Sequence, residues 1–329
     1  MKKRVIFRAD AGQKIGYGHF IRSLALASYL PEEFEPEFTS FNHDKGTPTD
    51  YQLNEIEKVC RYKAIEAPEL EKYNEKFLSE LTGDEIVVLD NYYFTAEFQR
   101  GIKEKGCRLV CVDDLHDRKM ICDLLLTGMN LPRDVFDIKD SAVFLSGIEH
   151  SFLRRPFLNV RRSVKRGDIK SVVIAMGGAD PYSLTDKIIE VILHLDLKLE
   201  IYVLAGDKVK IDSKYGDKVI IRRNLSAEEI VDLFTSVDMG ILSASTVCIE
   251  AMACNLKTAV GWYVDNQKDL YNYGAKEHLF FPLGNLLDSL SELTERIREA
   301  FKWGKLNSEI HNIDFLRGKE DIINAFRKL

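Results

Sequence analysis

His19 is the residue best placed, by type and spacing, to move a proton. It closes the glycine-punctuated stretch FRADAGQKIGYGH, residues 7–19, and opens a helical repeat of apolar positions at Ile21, Leu24, Ala25 and Leu26. Gly12, Gly16 and Gly18 lack a Cβ and let backbone approach a ligand closely. The first turn of a helix has unpaired N–H groups and a partial positive charge. That field opposes protonation, so an imidazole here is expected to stay neutral and able to accept a proton. The alternative is a strand-to-helix turn with an incidental histidine, because this local pattern recurs in α/β folds without chemistry.

A second constellation is Ser243, Ala244, Ser245 and Thr246 with Glu250. Small hydroxyl residues at a helix start leave N–H groups able to hold a phosphate, and Ser245 and Thr246 are the candidates. Glu250 lies four residues on, on the same helix face, where a carboxylate can accept both hydroxyls of a ribose. An N-cap at Ser245 or Thr246 with a solvated Glu250 is the alternative. The turn GGAD at Gly177 and Gly178 is another anion-ready strand end. Asp265, Asn266 and Gln267 form a third group, whose amides suit sugar hydroxyls, although an N-cap explains Asp265 equally well. The neighbouring carboxylates Asp113 and Asp114 suggest glycosidase chemistry only weakly, because adjacent strand residues point to opposite faces. No His, Cys or carboxylate set has metal-ligand spacing, so neither a metal nor another cofactor is expected.

The elements that must position these residues alternate in type. Residues 5–7, 34–41, 62–65, 85–94, 108–115, 122–128 and 141–147 read as short apolar strands, with helices at 18–30, 51–58, 70–81 and 95–105. Thr95 reads as an N-cap and Gly106 as a stop. Residues 150–170 are basic and aperiodic, as befits a linker. A second alternating set starts at residue 171, with a capping box at Ser226–Glu229 and two C-terminal helices. Such alternation predicts parallel, doubly wound sheets, whose ligands sit beyond the carboxyl ends of the strands. The polar strand ends Arg8–Asp10, Asp90–Tyr92 and Asp113–Asp114 are then expected to line one crevice. The expected organisation is a first domain over 1–150, a linker over 151–169 and a second domain over 170–329.

Composition bounds the function. With 329 residues, 45% hydrophobic and 30% charged, the chain fits a globular protein of two domains. A net charge of -6 argues against a nucleic-acid partner, which needs a basic footprint. No apolar run reaches membrane-spanning length and no secretory apolar region follows MKKR, so membrane insertion is not expected and a cytoplasmic location is. The six cysteines lack close pairing and read as reduced structural thiols.

Two facing doubly wound domains with a nucleotide-type site in the second suggest the glycosyltransferase-B (GT-B) architecture, two Rossmann-like domains across a cleft. FRADAGQKIGYGHFIRSLALA resembles the N-terminal motif of the PseG family, UDP-2,4-diacetamido-2,4,6-trideoxy-β-L-altropyranose hydrolases of pseudaminic acid biosynthesis. LDNYY, GGADP, the Ser/Thr-rich turn with Glu250, and DNQ resemble its later motifs in order. The resemblance implies a UDP-sugar substrate, His19 as catalytic base, Tyr92 as active-site tyrosine and Asn266 as sugar contact. It also implies that Gly16 and Gly18 line the loop and that Glu250 binds ribose; Asp10, Gly177, Gly178, Ser245, Thr246 and Gln267 complete the candidate binding set. Alternatives are a GT-B glycosyltransferase using an acceptor, or a non-catalytic nucleotide-sugar binding module. Gly12 stands where the family commonly has serine, and Cys254–Asn255 where a glycine is usual.

Overall fold

The computed structural model describes residues 2–12, 17–43, 48–160, 167–177, 180–206, 209–306 and 313–329. Gly16, Gly178 and residues 161–166 of the basic stretch therefore lie outside the described residues. The chain divides into two compact units, Met1–Arg155 with Asp314–Leu329, and Pro156–Ile313.

The first unit alternates as the periodicity predicts. Its elements begin β1 (Lys3–Arg8), α1 (Gly18–Tyr29), β2 (Phe34–Thr39), α2 (Asp50–Glu57), β3 (Arg61–Tyr62) and α3 (Leu70–Ser79). They continue through β4 (Ile86–Leu89), α4 (Ala96–Glu104), β5 (Arg108–Val112), β6 (Lys119–Met120), β7 (Leu124–Thr127), β8 (Asp137–Ile138) and β9 (Val143–Ser146). Seven strands form one sheet in the order β3-β2-β1-β4-β5-β7-β9, and β6 pairs with β8 apart from it. Continuous burial of IVVL in β4 and LLLT in β7 is what a sheet covered on both faces requires. Thr95 caps α4 by accepting from Phe98 N–H, and Gly106 ends it at a φ of +96°.

A short helix, α5 (Arg155–Leu158), stands where the chain passes from one unit to the other. The second unit holds β10 (Ser171–Ala175), α6 (Leu184–His194), β11 (Glu200–Ala205), β12 (Ile220–Arg223), α7 (Ala227–Ser236) and β13 (Met239–Ser243). It closes with α8 (Thr246–Ala253), β14 (Lys257–Trp262), α9 (Lys268–Lys276), β15 (Phe281–Asn285) and α10 (Leu290–Leu306). Its sheet runs β12-β11-β10-β13-β14-β15, all neighbours parallel. Ser226 and Glu229 make the expected capping box on α7. All six cysteines are free thiols, five of them buried. Among the described residues no helix is long and apolar enough to cross a membrane.

The boundaries differ from expectation in two respects: the division at Arg155/Pro156 falls inside the expected 151–169 linker, and the end of the chain changes unit. The last helix, α11 (Phe315–Arg327), belongs to the first unit and not to the second. Its buried stripe of Phe315, Gly318, Ile322, Ala325 and Phe326 packs there, with Phe326 edge-on to Phe34 at 6.2 Å. Arg327 Nε lies 2.7 Å from Glu33 Oε1. An amphipathic stripe announces that a face will be buried, but not which sheet will bury it.

The fit at Gly318 is tight enough to test this assignment, because an added Cβ would overlap the Glu149 carbonyl oxygen. Alanine normally favours a helix interior over glycine. Here we expect Gly318→Ala to destabilise the first unit by about 1–3 kcal/mol, the usual range for overpacking. Urea unfolding with hydrogen exchange of the α11 amides measures it; a more stable variant would mean that α11 does not pack against Glu149.

Candidate active site

Both sheets reverse their winding between the first and fourth strands of the unit, β1/β4 and β10/β13. Ligands of open α/β sheets gather beyond the carboxyl ends of strands at such reversals. In the first unit the segments leaving that point are residues 9–12 after β1 and 90–92 after β4.

His19 is the second residue of α1 and is 8% exposed. Its Nδ1 lies 2.8 Å from Asp90 Oδ1. Arg22, three residues along, closes a fork on the same carboxylate, Nη2 to Oδ1 at 2.6 Å and Nε to Oδ2 at 2.7 Å. Ser23 Oγ donates to Oδ2 at 2.9 Å. Positions i, i+3 and i+4 of one helix thus converge on one buried acid, as helical periodicity allows. The outer nitrogen of the fork, Arg22 Nη1, pairs with Asp114 beyond β5.

Burial alone would raise the Asp90 carboxyl, but the Arg22 guanidinium, with His19 beside it, overrides that and holds it well below the usual carboxylate range. An ionised carboxylate only accepts hydrogen bonds, so the 2.8 Å contact assigns the hydrogen to Nδ1 of His19, the Arg22 Nη2 contact to the same nitrogen being longer at 3.1 Å. In the neutral ring, Nε2 then has the lone pair. The Tyr92 ring stands edge-on to the imidazole, 4.4 Å away at 85°. Beyond its chain neighbours and its own helix, no described residue comes within 4 Å of where a Cβ at Gly18 would stand.

Asp10, expected among the ligand-binding residues, is enclosed instead. It has no exposure and pairs with the equally buried Arg8. It accepts from Phe41 N–H at 2.7 Å and from the Tyr93 hydroxyl, with His43 Nε2 3.2 Å away. Its own N–H donates to Asn91 Oδ1 at 2.7 Å. A carboxylate so fully used ties together the segments that follow β1, β2 and β4.

In the second unit, Gly177 follows β10 with a φ of +93°, a left-handed conformation that favours glycine. The start of the helix that follows is less open to an anion than the sequence suggests. Asp180 accepts from Leu184 and Thr185 N–H, each at 2.8 Å, and so occupies the start of α6 with a carboxylate. α8 differs: Ser245 precedes it in extended conformation without capping it, its Oγ 3.0 Å from Ser243 Oγ. Thr246 is the first residue of α8, and the first turn carries no acidic residue. One turn in, Glu250 is 5% exposed, so it is a buried carboxylate and not a solvated one. Asp265 does not cap a helix but pairs with Lys268 at 2.7 Å. Asn266 is exposed, whereas Gln267 is buried and accepts from Tyr263 N–H at 3.0 Å. Among the described residues no group of three or more His, Cys, Asp or Glu is arranged to hold a metal ion.

Sequence reasoning missed Arg22 and Ser23 and left open which acid orients His19. Their spacing from His19 was the available signal. The low carboxyl of Asp90 makes a prediction. Its folded-state value lies below the unfolded one of about 3.9, so the stabilisation is full above that and lost as pH falls through the folded value. Asp90→Asn should lose stability most near neutral pH, by about 3–5 kcal/mol for a broken buried pair. The gap to wild type should narrow as the medium is acidified. Urea unfolding across a pH series reads it, and a gap independent of pH would contradict the ionised-pair account.

No protein-family model matches the chain. It is 22% identical to an uncharacterized protein of Methanocaldococcus jannaschii, over 99% of this chain and 66% of that one, so it spans just under two thirds of that relative's length. It is 24% identical to the UDP-2,4-diacetamido-2,4,6-trideoxy-β-L-altropyranose hydrolase of Campylobacter jejuni, over 83% of this chain and 97% of the relative. Among solved structures, Acinetobacter baumannii MurG matches with a TM-score of 0.65 at 11% identity, covering 100% of both chains. A UDP-glucosyltransferase from Polygonum tinctorium matches with a TM-score of 0.62 at 10% identity, covering 99% of both. The chain has the GT-B fold of two Rossmann-like domains and is a distant relative of the Campylobacter hydrolase.

Proposed function

We propose that this chain hydrolyses a UDP-sugar at the anomeric carbon, releasing UDP and the free sugar. The observation that carries the reading is the His19–Asp90 contact of 2.8 Å, which leaves Nε2 of a neutral ring as the basic atom. Binding alone needs no oriented base. In this reading water attacks the anomeric carbon, its proton passes to His19 Nε2, and the bond from that carbon to the UDP oxygen breaks. One displacement inverts the anomeric configuration. Asp90 stays ionised and faces the imidazolium that forms. UDP is a good leaving group, and its growing charge meets the N–H groups at the start of α8, near Ser245 and Thr246. By the motif resemblance, Glu250 in the second unit is the candidate for the ribose hydroxyls, and Tyr92 in the first unit and Asn266 in the second are candidate sugar contacts. The motif resemblance and the distant hydrolase relative support a diacetamido-trideoxy hexose as that sugar and pseudaminic acid-type biosynthesis as its setting.

The test is NMR of the purified protein with UDP-sugars and no acceptor. Wild type should release UDP and free sugar, and in ¹⁸O-water the label should enter the anomeric hydroxyl and not UDP. His19→Asn should retain UDP binding while turnover falls at least about a hundredfold, the low end for losing a positioned base. Label in the UDP phosphate would mean attack at phosphorus and would end this mechanism; product only with an added acceptor would make the chain a transferase. Glu250→Ala should weaken UDP binding by about 1–3 kcal/mol, the value of lost hydrogen bonds to a charged group. Unchanged affinity by calorimetry would move the ribose elsewhere.

A further inference from the structure

Asp113 and Asp114 follow β5 side by side, and the proposed reaction uses neither as an acid or a base. Each holds an arginine. Asp114 holds Arg22, which grips Asp90 and through it the Nδ1 side of His19. Asp113 has no exposure and is itself anchored, its N–H donating to Leu126 O at 3.1 Å and its Oδ2 accepting from His116 N–H at 2.7 Å. Its Oδ1 takes Arg118 Nη2 at 2.6 Å. Arg118 then reaches Tyr92 twice. Nη1 donates to the Tyr92 carbonyl oxygen, and the guanidinium carbon lies 5.9 Å from the centre of the Tyr92 ring. That ring stands edge-on to the His19 imidazole.

We propose that Arg118, held by Asp113, is a positioning residue that fixes Tyr92 against His19, so that the Asp113–Asp114 pair steadies the imidazole along two separate routes. The proposal rests on the reading of His19 as the working base. One guanidinium holding both the carbonyl and the face of a single tyrosine restricts its backbone and its ring together. The forked guanidinium suits this, because Nη2 takes Asp113 while Nη1 takes the Tyr92 carbonyl, and an ammonium would reproduce the charge but not the fixed fork. Two charged routes ending on one small ring give the orientation that a general base needs, where misplacement by an ångström is costly. Asp117 Oδ1, 3.3 Å from Arg118 Nη1, adds a second carboxylate to the same guanidinium.

The experiment uses the full chain with Arg118→Ala and Arg118→Lys, each alone and with Tyr92→Ala. Arg118→Ala should lower kcat on the order of ten- to a hundredfold while UDP affinity by calorimetry is unchanged. In the Tyr92→Ala background the same change should alter kcat by less than about twofold, because the route it serves is already gone. Arg118→Lys should recover part of the loss. The ¹⁵N-imidazole signals of His19, assigned with His19→Asn, should move in Arg118→Ala and return toward wild type in Arg118→Lys. Multiplicative effects of the two substitutions, or His19 signals that stay in place in a folded Arg118→Ala protein, overturn the proposal. If the wild type hydrolyses no UDP-sugar, the reaction assignment fails, and the imidazole signals decide the positioning on their own.

Discussion

The first unit's site depends on keeping one carboxylate charged where no water reaches it. Asp90 has no exposure, and an isolated buried charge of that kind would neutralise itself. Arg22 prevents this by closing both of its forked nitrogens on the acid, with Ser23 filling an acceptor site that remains. The geometry then follows. An acid that accepts only can hold His19 in one tautomer, and a helix can bring His19, Arg22 and Ser23 to it only at spacings of three and four. Such pairs add little net stability over apolar packing. What Asp90 contributes is direction.

The surrounding sheet makes that direction possible. Between β1 and β4 the crossover helices pass to opposite faces, so the segments after the two strands diverge and leave room at their carboxyl ends. Buried polar contacts hold those segments in register: Asp90 N–H donates to Arg8 O at 3.2 Å, and the Arg8–Asp10 pair joins the residues after β1, β2 and β4. Arg8 itself lies over Tyr73 and Phe94, with its guanidinium carbon 4.6 and 5.3 Å from the ring centres. Asp10 serves as a brace, and Asp90, a short step along the same edge, serves as an orienter. The two differ in what surrounds them and not in residue type.

The second unit repeats the strand order and separates two helix starts in the same way. At α6 a carboxylate from the chain itself takes two N–H groups of the first turn, and at α8 the N-cap residue Ser245 makes no side-chain cap. A helix start already paired with an anion has little left to offer a phosphate, whereas an uncapped one keeps its dipole and its donors. Glu250, buried one turn into α8, fits the same division of labour.

By itself the sequence determined the alternation of strands and helices, the two parallel sheets, the caps at Thr95 and Ser226, and the place of His19 at a loop-to-helix junction. These follow from local chemistry: period, apolar runs and capping residues act within a few positions of one another. Tertiary structure alone decided which acid meets His19, because Asp90 lies 71 residues away and only the β1/β4 pairing brings it near. It also decided that Asp10 is enclosed, since its partners Phe41, His43 and Tyr93 come from segments far along the chain. The assignment of α11 to the first unit has the same origin. Its apolar stripe is legible in the sequence, but either sheet could bury such a stripe. The close approach of Gly318 to the Glu149 backbone belongs to the first unit's surface and has no signature along the chain.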